Sequence, residues 1–510
     1  MIYAVDLINE QMTLGYRLII NAVEGMGLPV TYVPYREIER YDFGDARVVL
    51  FSFMFFDNYL EVGKVFRKMR LPVWAKDRGF PLCIAGGEPV SDNPEPVAEF
   101  FDVICVGEGE EWIQEVVEIV LFGDGDKKAV LRKIYEEVPG SYVPSMYRIE
   151  YEADETVKSL EGKRVLARKG DINRSVESHL RHTRKCKATN TFNVTHKEYL
   201  IEYHRGCSRK CAFCSYAYFQ HPFRKVSTEA VIKAIEDVVQ FDGDEKNKVV
   251  LTQTNSHHLP VELIEYLFFM KRMPHYSSCI YKSMLDDYEK TELWERNHVY
   301  FRFGIEGFSE RERGLWGKPI TNHELLMFPS IFSGKGVTTK WFFISHLPTQ
   351  MIEDVKELLK ILEEMSRQTN NFITIEAYVT MLQFKYATPI VFFEKKFNDE
   401  VWLFLNQNSV LKWGKLKVVF SKNEDRRKFY LRNFLSLANR KAARVLAGMK
   451  GGNVRYDAFD LCREAGIEAG ALFGEYDVGK RYCSEHLELY EGHREGIRKR
   501  YLGIRGKVEG

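Results

Sequence analysis

Three cysteines crowd one short stretch of the chain. EYHRGCSRKCAFCSY, from Glu202 to Tyr216, places Cys207, Cys211 and Cys214 at CxxxCxxC spacing. The others, Cys83, Cys105, Cys186, Cys279, Cys462 and Cys483, stand singly. An odd total with one tight cluster is not a disulfide framework; it points to a reduced, cytoplasmic setting and a metal site. Soft thiolates select zinc or an iron–sulfur cluster. Structural zinc wants a closed tetrahedral shell. No second cysteine pair lies nearby, so His204 or His221 would have to complete it. A [4Fe–4S] cluster has four irons held by thiolates. Three cysteines then leave one iron open to a non-protein ligand, which makes the site chemical rather than structural. Phe213, between the last two cysteines, suits either a ring of a bound ligand or ordinary core.

The elements that must position this loop follow from the alternation around it. From Glu198 onward, YLIEYHRG, NKVVLTQT, SSCIYKS, VYFRFGIEG, TKWFFISHLP and FITIEAYV read as strands. Helical patterns such as TEAVIKAIEDVVQF and MIEDVKELLKILEEM separate them. Repeated βα units at this spacing predict a partial or complete TIM-type barrel over residues 198–390, whose function sits at the strand C-termini. The cysteines begin just after its first strand. Residues 1–125 show the same alternation and predict a Rossmann-like, doubly wound parallel sheet. Ligands of such sheets lie beyond the strand C-termini, where Ser52, Gly86, Gly87 and Gly107 fall. Residues 126–197 read as a connector with minor strands and a basic cluster at Arg181, Arg184, Lys185 and Lys187, either solvated linker or phosphate-binding surface. Residues 391–510 read as a mostly helical, charged accessory domain. The fold class is therefore α/β with a helical C-terminal domain.

Cys207-x3-Cys211-x-Phe213-Cys214, after the first strand of a βα barrel, resembles the signature of the radical S-adenosylmethionine (radical SAM) superfamily. That resemblance implies a [4Fe–4S] cluster whose open iron chelates S-adenosylmethionine. It also implies reductive cleavage to a 5′-deoxyadenosyl radical, hydrogen abstraction from a substrate, and a flavodoxin or ferredoxin as electron donor. FGIEGFSERERGLWGKPIT is similar to the family's fourth-strand segment, which implies that Glu306, Ser309 and Arg311 face the cofactor; the plain alternative for each is an ion pair. WFFISHLPTQMIED resembles the fifth-strand segment, with Ser345-His346 in place of the usual glycine. His346 reads either as a substrate residue or as a hydrogen-bonded structural histidine. AYVTMLQFKYATP resembles the sixth-strand segment. The second strand ends in TQTNSHH, where the family places a contact for the methionine amino group, here Asn255 or Ser256; His257 and His258 have no assigned role.

GGEPVSDNPEPVAEFFDVICVGEGEEW resembles the cobalamin-binding-like domain that precedes many of these enzymes. Its DxHxxG motif is absent, since Asp6 to Gly15 reads DLINEQMTLG. The resemblance thus leaves cobalamin open. With it the implied chemistry is methyl transfer to an unactivated carbon; without it the domain is a scaffold or a lid. Methylthiotransferases carry a second three-cysteine cluster in this position, and only Cys83 and Cys105 lie here.

With Lys plus Arg at 73 against Asp plus Glu at 72, the charge balance makes no global case for nucleic acid or membrane. It favours a small-molecule or peptide substrate. The basic stretches at 163–187 and 426–444 keep a nucleic acid as the alternative, and a non-catalytic, metal-stabilised binding protein as another. MIYAVDLINEQM lacks the pattern of a signal peptide, and no apolar run reaches the length of a membrane span.

Overall fold

The computed structural model describes residues 1–8, 13–123, 125–171, 192–193, 198–241, 248–252, 259–271, 276–279, 281–287, 292, 300–331, 336–421, 425–449 and 456–509. It is a mixed α/β fold with parallel sheets. Two compact units emerge, interleaved along the chain. The first comprises Met1–Thr191, Gln383–Lys395 and Tyr430–Tyr501; the second comprises Phe192–Leu382, Lys396–Phe429 and Leu502–Gly510.

The first unit is built on six strands: β1 (Ile2–Val5), β2 (Val30–Val33), β3 (Val48–Ser52), β4 (Leu82–Gly86), β5 (Val103–Cys105) and β6 (Ser141–Tyr142). Their order is β2-β1-β3-β4-β5-β6. All neighbours run parallel except β6, which is antiparallel to β5. The strands are short apolar runs because both faces are covered. Ile2, Ala4, Val48, Leu50, Leu82 and Ile84 pack with Ile20, Val23, Trp112 and Val116 from helices Leu14–Glu24 and Glu110–Phe122. On the opposite face Phe51 meets Phe66 and Phe101, with ring centroids 5.5 and 5.3 Å apart. The strand order reverses at β1, so the ligand crevice of such a sheet lies beyond the C-termini of β1 and β3.

In the second unit, Phe192–Asn193, Glu198–Glu202 and Lys248–Thr252 form a three-stranded sheet. A larger sheet runs in the order Tyr276–Cys279, Tyr300–Glu306, Gly336–Ser345, Phe372–Met381, Leu416–Ser421, Val410–Trp413. Its first five strands are parallel, and the last is antiparallel. Among the described residues the expected barrel is thus two sheets rather than one closed ring. Each of the six expected strands is present. The rings of Tyr281, Phe303, Phe328 and Trp341 pack together in the core.

The segment 391–510, expected as a helical accessory domain, is divided between the units. It also contributes the hairpin at 410–421 to the larger sheet. LKVVFS has the period-2 burial of a half-covered strand, a signal masked by the charged helices around it. The connector likewise carries a helix at Lys127–Glu137 and an antiparallel pair, Arg148–Tyr151 with Val157–Glu161. Its cluster Arg181, Arg184, Lys185 and Lys187 lies outside the described residues. Among the described residues no helix is long and apolar enough to cross a membrane.

Candidate functional site

The cysteine loop follows the strand Glu198–Glu202. Arg205 closes its entry with a bidentate pair to Glu202, both contacts at 2.7 Å. The strand His204–Arg205 pairs with Arg224–Lys225, so both ends of the loop are tied. Inside it, the Cys214 N–H donates to the Cys211 carbonyl at 3.2 Å. The Cys207 sulfur accepts from the Arg209 N–H at 3.4 Å. Cys211 is buried, whereas Cys207, Phe213 and Cys214 are half-buried.

The loop also has a distant partner. The Ala212 N–H donates to the Trp316 carbonyl at 3.0 Å, and the Cys211 thiol to the Gly317 carbonyl at 3.4 Å. Trp316 ends the helix Glu310–Trp316, and Gly317 caps it in the left-handed region at φ 88°. The next residue, Lys318, reaches back to the strand Tyr300–Glu306. Its ammonium lies 3.4 Å from the Glu306 carboxylate and donates to the Gly304 carbonyl at 3.2 Å.

Glu306 occupies a special backbone position. The pairing with Gly336–Ser345 slips by one residue between Gly304 and Glu306, a bulge that re-aims the side chain. Glu306 itself has φ 69°, uncommon for a residue with a Cβ. A Cβ at Gly304 would stand 2.4 Å from a Glu306 carboxylate oxygen and 3.0 Å from the Lys318 nitrogen. Glycine there makes room for the ion pair. Burial pushes the Glu306 carboxyl above its ordinary value, partly offset by Lys318. Burial works to lower Lys318, but Glu306, with smaller contributions from Cys211 and Cys214, outweighs it, and its pKa is raised. Sequence reasoning missed Lys318; GLWGKP carries no local signal for it beyond a helix-ending glycine before a cation.

Ser309 and Arg311 are engaged elsewhere. Ser309 caps the helix, accepting from the Glu312 N–H at 3.1 Å and donating to Asp354 at 2.6 Å. Arg311 pairs with Asp354 at 2.7 Å and donates to the Thr349 carbonyl at 3.0 Å. Together they join the exits of the strands Tyr300–Glu306 and Gly336–Ser345. Glu312 is part of the same network, accepting from Phe308 N–H and from Gln350. Burial, reinforced by Asp354, pushes its carboxyl up to about 7. Asn255, Ser256, His257 and His258 lie outside the described residues.

His346 takes φ 63°, the conformation that the resembled family's glycine would adopt freely. Its Nδ1 accepts from the Asn398 N–H at 2.9 Å, and its ring stacks on Phe397 with centroids 4.2 Å apart. Burial pushes its pKa down to about 3. It is a neutral histidine held in the fold.

In the first unit Ser52 ends β3 and Gly86 ends β4. Gly87, at φ 119°, lies so close to the Phe53 backbone that a Cβ would come within 2.1 Å of its carbonyl oxygen. Gly107, at φ 102°, is likewise pressed on Arg168, with 2.4 Å available. The chain's own backbone fills both positions. Residues 1–125 contain no histidine, and burial pushes the Cys83 thiol up to about 12 and that of Cys105 up as well. A cobalamin held there would receive no histidine ligand from these residues.

The fit of the cysteine loop to an iron–sulfur cluster rests on its donor set. Among the described residues no three His, Cys, Asp or Glu side chains converge as ligands of a single ion. Each cysteine of a [4Fe–4S] cluster binds its own iron, and the three thiols sit on one loop tied at both ends.

Comparison with known proteins agrees. Residues 201–362 match the family model of the radical SAM superfamily, and residues 33–144 match that of radical SAM proteins, N-terminal. An uncharacterized protein of Methanocaldococcus jannaschii is 22% identical over 335 residues, covering 66% of this chain and 65% of that relative. The cobalamin-dependent S-adenosylmethionine radical enzyme OxsB, with aqua-cobalamin and S-adenosylmethionine bound, is similar at 14% identity and a TM-score of 0.47; the match covers 71% of this chain and 51% of that one. Its apo, SeMet-labelled form matches at 14% identity and a TM-score of 0.49 over the same shares. The chain thus spans about half the length of those solved structures and just under two thirds, 65%, of the archaeal relative. With a radical SAM domain at 201–362 and the corresponding N-terminal domain at 33–144, the chain belongs to the radical S-adenosylmethionine superfamily.

Proposed function

We propose that the chain is an enzyme that cleaves S-adenosylmethionine reductively at a [4Fe–4S] cluster and abstracts hydrogen from a small-molecule or peptide substrate. The observation that carries this reading is the docking of the three-cysteine loop, through the Ala212 N–H on the Trp316 carbonyl, at the turn that leads to Lys318 and the bulged Glu306. When bound, the cluster and S-adenosylmethionine supply the electron transfer and the radical chemistry of the family. Cys207, Cys211 and Cys214 hold the cluster as thiolates. Glu306 offers a carboxylate suited to hydroxyls at a strand end, and Phe213 an apolar face. Ser309 and Arg311 act by fixing the two strand exits.

Acidic partners of Arg426, Arg432, Arg440 and Lys441 support a small-molecule or peptide substrate over a nucleic acid. A basic stretch already paired has less charge to spend on phosphates. The packed glycines of the first unit support a scaffold role for its sheet, with cobalamin-dependent methylation as the rival. The test is anaerobic reconstitution with deuterium-labelled metabolite extracts, with and without cobalamin. Deuterium in 5′-deoxyadenosine without added cobalamin is expected. Deuterium transfer that requires cobalamin would overturn the scaffold reading, and transfer only with RNA or DNA would overturn the substrate class.

A further inference from the structure

We infer that Lys318 is the charge that sets the reduction potential of the cysteine-bound cluster, with Glu306 as its counterweight. The inference rests on the proposed function and concerns residues that the loop's own sequence does not contain. The Trp316 carbonyl holds the Ala212 N–H at 3.0 Å, and the next carbonyl, of Gly317, lies 3.4 Å from the Cys211 sulfur. Lys318 follows directly, so its backbone is fixed relative to the loop. Its ammonium is fixed in turn by Gly304 at 3.2 Å and Glu306 at 3.4 Å. The two side chains are only 17% and 18% exposed, so water screens their charges poorly. The arrangement is costly: it needs a bulge, a left-handed glutamate and a glycine to clear space.

The consequence follows from net charge, one of the factors that set cluster potentials. Reduction adds one electron and makes or breaks no bond. A fixed cation on the residue that follows Gly317, whose carbonyl lies 3.4 Å from the Cys211 sulfur, favours the added electron. Glu306 opposes it.

The test is an EPR-monitored redox titration of the full chain, reconstituted anaerobically and poised with titanium(III) citrate as the one-electron reductant. Lys318→Met is expected to disfavour reduction about tenfold, a downward shift of about 59 mV for a one-electron couple. Glu306→Gln unmasks the lysine and is expected to shift the potential upward. Lys318→Arg is expected to stay near the native value. Iron content is measured for each protein. Shifts of one sign in both Lys318→Met and Glu306→Gln, or none in either, would overturn the inference while leaving the proposed function standing. If Lys318→Met binds no iron, the sign of the Glu306→Gln shift decides. A native chain that takes up no cluster would overturn the proposed function itself.

Discussion

At the scale of single residues, the cysteines were legible because their spacing is local: three thiols in one loop carry their chemistry in the sequence. Their docking partner was not, because Gly317 lies 106 positions from Cys211. Only folding brings them together. Substituting serine for Cys211 is expected to abolish stoichiometric iron binding after reconstitution, checked by iron and sulfide analysis, since a hydroxyl is a poor donor to a soft iron site. His346 was legible as either a substrate or a structural residue, and its contacts favour the second. Its folded pKa is depressed, so between about 3 and 6.5 the unfolded chain binds more protons than the folded one. Stability therefore rises with pH across that window and is lost as pH falls from about 6.5. His346→Asn keeps an acceptor near the Nδ1 position and tolerates the left-handed backbone. It is expected to lower the denaturation midpoint at pH 8 and to flatten the acid-side slope by up to about 1.4 kcal/mol per pH unit. Urea titrations at several pH values check both.

At the scale of elements, the βα alternation made the five parallel strands within residues 1–125 and the six expected strands within 198–390 readable, but not the hairpin at 410–421. What escaped was whatever depends on a neighbour. The bulge before Glu306 arises from pairing with Gly336–Ser345, and no feature of FGIEG alone announces it. Glycines at strand ends show the same limit. Gly86, Gly87 and Gly107 all fall where a ligand would bind, yet two of them are there to let backbone meet backbone. This gives a contrast. Gly87→Ala puts a Cβ against the Phe53 carbonyl in a strained conformation, whereas the nearest atom to a Cβ at Gly86 is the Cys105 Cβ at 3.7 Å. Gly87→Ala is expected to cost roughly 3 kcal/mol or more, and Gly86→Ala under about 1 kcal/mol, in thermal or urea unfolding. Equal tolerance of both would remove the packing explanation.

At the scale of the whole molecule, the sequence read as four segments in order, while the folded chain forms two interleaved units. The SDNPEP stretch explains how the later segments are captured in the first unit. Asp92 accepts from the N–H groups of Tyr386 and Ala387. Asn93, fully buried, donates to the carbonyls of Ser436 and Ala438 at 3.0 and 2.8 Å and accepts from Ser484. Glu95 pairs with Arg440 at 2.9 Å. A motif that read as part of a cofactor domain is thus a receptor for the chain's own C-terminal third. Asn93→Ala would leave buried carbonyls unpaired, at about 1–3 kcal/mol each. Faster proteolysis within residues 430–501 and a lower unfolding midpoint are expected, and unchanged protection would argue against this clamp.

The central claim is that the tied cysteine loop holds a cluster that activates S-adenosylmethionine. The most direct measurement is 5′-deoxyadenosine formation by the anaerobically reconstituted full chain, given S-adenosylmethionine and a low-potential reductant, with iron quantified on the same sample. Close to four irons per chain are expected, with nucleoside product that disappears when Cys207, Cys211 and Cys214 are replaced together. One zinc per chain and no nucleoside from iron-loaded protein would contradict it.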